Sequence, residues 1–521
     1  MNLSTPGPGS GHVLVPQRPR LGRSGAVVSP HGLASEAGLG ILRAGGNAVD
    51  AAIATNAALA VVAASHCGLG GDAFWLIWDG DALQGLNGSG RAGATATLDA
   101  ARAANGDRLP LRGPWSVTVP GAIRSWGDAH DRFGRLPWPD LLAPSIELAE
   151  GFPASWSWQA AVERSAPIFG PDSDWARAFR PHGRPWRLGE TVVIPGLSTT
   201  LRRIADEGPG CAYEGPLATR AATFLASRGT PIDARDLADH ASTWTTPIRA
   251  SYRSVEATSH APNSCGPIAL ELLNVLGRFE PPAADAFDGH GVADAAWVHL
   301  GLEAARATLA DRDRWLTDPE AMASGALEAL LSPERAAAIA AAIDPDRTRA
   351  PASLGAPAGG GTVYLATADR WGGVVSLIES NSYGFGSGLV DPETGIAYQN
   401  RGASFSLDPG HVNVLAPRKR SMHTLSPGML FRAGKPWVVH GSMGGEIQPQ
   451  VFAQVVSALV DGRVDVAMAV AAPRWAADMA EHHGPPSLTV VESRYHRSVV
   501  DALRARGHDV LQRGEYDPGM G

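Results

Sequence analysis

Gly359-Gly360-Gly361-Thr362-Val363-Tyr364-Leu365-Ala366-Thr367-Ala368-Asp369 is a glycine run that feeds straight into a strand-like segment. Upstream, from about Asp344 to Gly361, a Pro/Ala/Gly/Arg-rich stretch has no hydrophobic period and reads as a flexible arm. Connections inside a compact domain are mostly short, so such an arm leading into a strand is out of place. It makes sense if the chain is cut between Gly361 and Thr362, which gives the strand a free amino end. An N-terminal threonine carries a hydroxyl nucleophile and, on the same residue, an amine able to act as its base. Before the cut, the Thr362 hydroxyl attacks the Gly361 carbonyl, and water resolves the resulting ester. Glycine at 361 tolerates the backbone strain this needs. The freed α-amine has a reference pKa of about 8, so much of it is neutral near physiological pH. An ordinary strand threonine is the competing reading, since β-branched residues favour strands.

The segments around Thr362 sharpen the choice. Thr362–Ala368 and Gly373–Glu379 read as a hairpin turning at Asp369-Arg370-Trp371-Gly372. Pairing Ala368 with Gly373 puts Thr362 opposite Glu379, with the hydroxyl of Ser380 one step beyond. His440-Gly441-Ser442-Met443-Gly444-Gly445 follows a strand-like Trp437–His440, and its glycines can aim two backbone N–H groups at a developing oxyanion. Arg420-Ser421-Met422-His423-Thr424 offers further donors, and Gly384-Phe385-Gly386-Ser387-Gly388 reads as a tight loop.

The rest of the 521-residue chain fits one soluble enzyme. A net charge of −8 with no Lys/Arg stripe argues against nucleic acid as a partner. The three cysteines, Cys67, Cys211 and Cys265, form neither a disulfide framework nor a metal pair. Residues 1–30 lack an apolar signal core and are expected to be disordered, which points to the cytoplasm. The apolar run Ala51–Ala64 is too short to span a membrane. From His31 two helices are expected, ending at Gly45-Gly46 and starting at Asn47, followed by a buried strand from Ala73 to Trp78. The loop Gly68-Leu69-Gly70-Gly71 precedes that strand rather than a helix, so a phosphate cradle is disfavoured. Helices are expected over Leu141–Glu150, Leu197–Glu207, Ile268–Leu276, most of 291–343, Pro449–Leu459 and Val499–Arg506. No repeat appears, and the alternation indicates an α/β protein of stacked layers, α+β in character, rather than separate modules.

Together these segments resemble the gamma-glutamyltransferase (gamma-glutamyltranspeptidase) family of N-terminal-nucleophile hydrolases, from about Ser29 to Met520. Leu33–Gly38, Gly45–Ala52, Gly68–Gly71, Val119-Pro120-Gly121 and Pro262–Gly266 are similar to the family's first half. In the second half Thr362 falls on its nucleophile, with Asp369 and Phe385-Gly386-Ser387-Gly388 at matching spacing. Lys419-Arg420 precedes the place of two oxyanion-site serines, here His423 and Thr424, and Gly444 and Gly445 fall on its oxyanion-hole glycines. The resemblance implies an αββα four-layer sandwich, autoproteolysis into a large subunit (31–361 after the N-terminal segment) and a small one (362–521), and no cofactor or metal. The two subunits stay together as a heterodimer, which leaves room for further dimerisation. Ser380 would assist Thr362, and Asn381 and Ser382 would join the substrate contacts. Members of the family usually continue through another strand past Met520-Gly521, so a chain ending there is expected to be impaired in folding or processing.

Departures from the family bear on substrate. The Thr-His that usually follows the nucleophile is Val363-Tyr364. Where glutathione-cleaving members place an aspartate for the glutamyl α-amine, the stretch Gln399-Asn400-Arg401-Gly402-Ala403-Ser404-Phe405-Ser406 has Ser404 and an added Arg401. Ser89 stands at the family's carboxylate-binding arginine, with Arg91 two residues on. A pocket with Arg91 and Arg401 suits an acid without an α-amine, because guanidinium pairs well with carboxylate; the alternative for each is a surface ion pair. The chain thus looks closest to the oxamate amidohydrolase-like subset, which also includes glutaryl acylases, and is expected to hydrolyse the amide of a small carboxylate-bearing molecule. A gamma-glutamyl transferase acting on glutathione and an unprocessed binding homologue are the alternatives. No G-x-S-x-G or H-E-x-x-H occurs, and His482-His483 read as solvated.

Overall fold

A computed structural model describes residues 19–349, 356–357, 361–480 and 488–521. Its first sheet has six antiparallel strands in the order Ala26–Val28, Gly361–Ala368, Val374–Ser382, Asp72–Trp78, Leu83–Gly88 and Thr243–Thr245. Four antiparallel strands make the second: Lys435–His440, Gly428–Arg432, Val255–Ser259 and Ile248–Tyr252. A smaller mixed sheet joins Ala356–Pro357, Trp475–Ala480, Leu488–Glu492 and Val510–Arg513.

Side-chain alternation assigns the faces. On strand Asp72–Trp78, Ala73, Trp75 and Ile77 join a core shared with helices Gly32–Arg43 and Ala48–Val62. Phe74, Leu76 and Trp78 turn the other way, toward Leu425, Met429 and Phe431 of the second-sheet segment. The strand is therefore apolar without a break because both faces are covered. Leu430, Val255 and Ala257 of the second sheet pack outward against helices Gly266–Leu276, Ala295–Trp315 and Gln448–Val460. Helix Ala48–Val62 is buried along its whole length, and a capping box closes its start: Asn47 accepts from the Asp50 N–H and Asp50 from the Asn47 N–H. None of the helices among the described residues is long and apolar enough to cross a membrane.

Two expectations change. The expected disorder over 1–30 does not extend to Ala26–Val28, which pair with Ala368, Thr367 and Ala366. Three residues on a sheet edge, with Val28 58% exposed, leave no hydrophobic run to read; backbone pairing carries the strand. The arm expected over 344–361 is tied down at its start. The Thr348 N–H donates to the Arg506 carbonyl, and Arg349 pairs with Glu303 at 3.3 Å. Ala356–Pro357 forms a short strand, while 350–355 and 358–360 lie outside the described residues.

Candidate active site

The hairpin register differs by one residue from the sequence expectation. Ala368 pairs with Val374, so Thr362 stands opposite Ser380 and Val363 opposite Glu379. The turn is one residue longer because Asp369 organises it, accepting from the N–H groups of Trp371 (2.8 Å) and Gly373 (2.9 Å). Its other oxygen accepts from the Ala48 N–H at 2.9 Å, which locks the turn to the start of a helix. Glu379 is thereby turned away from Thr362. It accepts from the Gly68 N–H and from Asn56 Nδ2, and burial pushes its carboxyl up to about 8.

Thr362 and Ser380 side chains meet between the two sheets. Thr362 Oγ1 lies 3.0 Å from Ser380 Oγ, and Ser380 Oγ lies 2.5 Å from the carbonyl oxygen of Gly361. The Ser382 N–H donates to Ser380 Oγ at 2.8 Å. Ser380 has one hydroxyl proton, and the Gly361 carbonyl is an acceptor only, so that proton goes to Gly361. The Thr362 hydroxyl must then donate to Ser380. Ser380 consequently polarises the carbonyl beside Thr362 while leaning on two donors. A Cβ on Gly361 would come within 2.8 Å of the Ser65 carbonyl oxygen, so only glycine fits there. Ser382 holds a left-handed backbone (φ +75°) where the strand departs from Thr362.

The glycine loop expected to supply oxyanion donors follows strand Lys435–His440. It packs on the same face: a Cβ on Gly441 would strike the Tyr364 ring. Gly444 (φ +117°) and Gly445 (φ +59°) are both in the region that favours glycine. Neither amide N–H has an acceptor among the described residues. An ion pair between Glu446 and Arg312, itself buried, anchors the loop.

Arg401, expected either in a substrate pocket or on the surface, is 4% exposed. It makes no ion pair within 4.0 Å among the described residues, and its Nε has no partner. The one hydrogen bond of its guanidinium among the described residues is a long 3.4 Å approach to Thr424 Oγ1. Burial lowers its pKa, with Asp72, Tyr383 and Glu446 pulling the other way. His423 is buried against Phe74, and its Nε2 is 3.3 Å from Asp72 Oδ2. Burial, then Arg401, hold its imidazole well below the ordinary value, so it is neutral. Ser404 is half-buried, and its carbonyl accepts from Asn413 Nδ2.

Two expected substrate residues sit elsewhere. Arg91 is spent on Asp318 (3.1 Å) and Glu320 (2.7 Å), the ion-pair alternative. Asn381 lies on the opposite strand face from Thr362, with its amide against Gly68. Conversely, Asp72 and Arg112 escaped notice. Asp72 opens a buried apolar strand, and an acid between Gly-Gly and Ala-Phe-Trp was the available signal. Arg112 donates to the carbonyls of Tyr383, Gly384 and Gly386 and stacks over Phe169, holding the loop after Ser382; nothing in its surrounding sequence marks it. His299, Glu303 and His508 have metal-like proximity among the described residues. Their atoms are already engaged: the imidazoles bond each other at 2.7 Å and Glu303 pairs with Arg306 and Arg349. His482-His483 lie outside the described residues.

Comparison with known proteins places this geometry in a lineage. The sequence matches the gamma-glutamyltranspeptidase family over residues 34–521. It is 37% identical over 509 residues to the glutathione hydrolase-like YwrD proenzyme of Bacillus subtilis (strain 168), spanning 96% of this chain and 94% of the relative. Identity to the oxamate amidohydrolase proenzyme of Klebsiella pneumoniae is 36% over 506 residues, 95% of this chain and 93% of the relative. The solved structure of cephalosporin acylase from Bacillus halodurans superposes with a TM-score of 0.87 at 38% identity, covering 97% of this chain and 92% of that one.

Proposed function

The chain belongs to the gamma-glutamyltranspeptidase family and is an enzyme of it, and from that premise we propose that it is an autoprocessing amidohydrolase for a small carboxylate-bearing amide, oxamate-like or glutaryl-like. The helix–sheet–sheet–helix packing is read as the family's αββα sandwich. In the precursor, Thr362 Oγ1 adds to the Gly361 carbonyl, which Ser380 polarises; the C–N bond breaks and water resolves the ester. The products are a large subunit ending at Gly361 and a small one starting at Thr362, held together as a heterodimer. The new α-amine takes the Thr362 hydroxyl proton, the oxygen attacks the substrate amide, and the N–H groups of Gly444 and Gly445 receive the oxyanion. The amine then protonates the leaving nitrogen, and water releases the acid from Thr362.

The observation that carries the substrate reading is Arg401, a buried guanidinium with no carboxylate at bonding distance among the described residues. A buried charge without a partner is expensive, and a substrate carboxylate supplies one. A gamma-glutamyl donor remains the second reading. It is favoured by Asp72, an acid near Arg401 able to accept from an ammonium, and by the name of the YwrD relative.

Mass analysis of fresh protein beside Thr362→Ala tests the nucleophile. Two fragments meeting at Gly361–Thr362, absent in the variant, are expected; one intact wild-type chain would end the enzyme reading. The cleaved protein is then offered oxamate, a glutaryl amide and a gamma-glutamyl anilide. Arg401→Gln is expected to raise KM for the carboxylate amides tenfold to a hundredfold, as loss of a charged hydrogen bond worth about 1.5–3 kcal/mol implies. Turnover of the gamma-glutamyl anilide alone would favour the second reading.

A further inference from the structure

Asp72 is an ionisable group that neither step above uses. It pairs in register with Ser380, as Ser380 does with Thr362, so the three side chains leave one face of the sheet. Two strand spacings put Asp72 roughly 10 Å from the nucleophile. Asp72 Oδ1 accepts from the Gly90 N–H at 3.2 Å, and Oδ2 meets His423 Nε2 at 3.3 Å with both side chains fully buried. At the other end of the ring, His423 Nδ1 is buried and has no partner among the described residues. Arg401 influences both members of the pair. The other ionisable groups facing them are Arg420, Glu379 and Tyr213 around Asp72 and His260 beside His423.

Proton accounting gives the pair two faces. With Asp72 ionised and His423 neutral, Nε2–H donates to Asp72 and Nδ1 is a bare acceptor. One added proton, whether on Asp72 Oδ2 facing Nε2 or on the ring itself, turns Nδ1 into an N–H donor. A carboxylate held by Arg401 needs a donor there and is repelled by an acceptor.

We propose that Asp72 is a positioning residue that shares a proton with His423, so that His423 Nδ1–H joins Arg401 in binding the substrate carboxylate and releases it when the pair deprotonates. This rests on the carboxylate reading of the substrate. The switch falls near neutrality, because burial pushes the Asp72 carboxyl up to about 7 against the opposing pull of Arg401.

The test is KM against pH from 5.5 to 9 for the best carboxylate amide, on the cleaved wild-type and Asp72→Asn enzymes. Wild-type KM is expected to rise up to tenfold per pH unit above about 7, while kcat follows the ionisation of the Thr362 amine, in the variant as in the wild type. Asp72→Asn, which keeps a hydrogen bond to Nε2 but cannot exchange the proton, is expected to flatten that profile. An identical slope in the variant would overturn the proposal. If the variant fails to fold or cleave, calorimetry on the wild-type enzyme replaces it, with oxalate or glutarate titrated in two buffers of different ionisation enthalpy. Uptake of about one proton at pH 8.5 and none at pH 5.5 is expected; binding without uptake at either pH refutes the shared proton while leaving the substrate class standing. No dicarboxylate binding, together with a raised KM for the gamma-glutamyl anilide in Asp72→Asn, would overturn the substrate class itself.

Discussion

At the scale of single residues the chemistry concentrates in one hydroxyl beside another. Ser380 gives its proton to the Gly361 carbonyl and receives the Thr362 hydroxyl, so in the proposed self-cleavage it would both activate the bond to be cut and orient the attacking oxygen. Removing one such donor from a developing oxyanion typically slows a reaction by about 10²–10³-fold. Ser380→Ala is therefore expected to slow self-cleavage by that order, read as the disappearance of intact chain by mass over hours to days. Cleavage at the wild-type rate would mean that Ser380 only fills space. Ser380→Thr keeps the hydroxyl and is expected to restore much of the rate, which a purely steric role does not predict. Arg401 shows the limit of reading single residues from sequence: its charge was visible, but its burial and lack of an ion pair were not.

Elements were legible where one physical rule governs them. The Asn47 cap, the all-buried helix behind it and the unbroken strand Asp72–Trp78 follow from capping chemistry and two-sided burial, and the structure places them within a few residues of the expectation. The hairpin register was not legible, because a one-residue difference in turn length moves every partner and the turn residues allow both lengths. What decides it is long-range: the Asp369 carboxylate spans its own turn and reaches the Ala48 N–H, a bond no local pattern announces. The surroundings of Arg91 and Asn381 were hidden for the same reason, since Asp318 and Gly68 meet them only in the fold. Asp369→Ala leaves three N–H groups without their acceptor. It is expected to destabilise the precursor by about 2–4 kcal/mol, measured by urea unfolding of the uncleaved Thr362→Ala chain, and to slow cleavage through a loosened Thr362–Ser380 pairing. A change within 0.5 kcal/mol would show that sheet pairing alone fixes the register.

Across the whole molecule, packing two sheets face to face and covering both with helices buries many ionisable groups, and their burial ties stability to pH. Burial lowers the imidazoles of His66, His260 and His440 to about 4 and those of His240 and His508 to about 3. Unfolded, each returns to about 6.5, so below that pH the unfolded chain binds protons the folded one refuses. Their contribution is complete above about pH 6.5 and is lost as pH falls toward 4. Asp72 and Glu379 act in the opposite sense. Burial raises them to about 7 and about 8, so the fold keeps protons that the unfolded chain releases above about 4. Their contribution is lost as pH rises from about 4 to 8. Five histidines outweigh two carboxyls on the acid side, with a net uptake of roughly three protons on unfolding near pH 5. The two effects balance near pH 7, and above about 7.5 the carboxyls dominate. Urea midpoints of the Thr362→Ala chain are therefore expected to rise from about pH 4.5, peak near pH 7 and decline by about pH 8.5. The declining limb is the discriminating one: in Asp72→Asn it should become shallower, while the acid limb steepens by about one proton. A midpoint still rising at pH 8 would mean that both carboxyls are ionised in the fold, and the proton that His423 needs for an anionic substrate would then have to come from elsewhere.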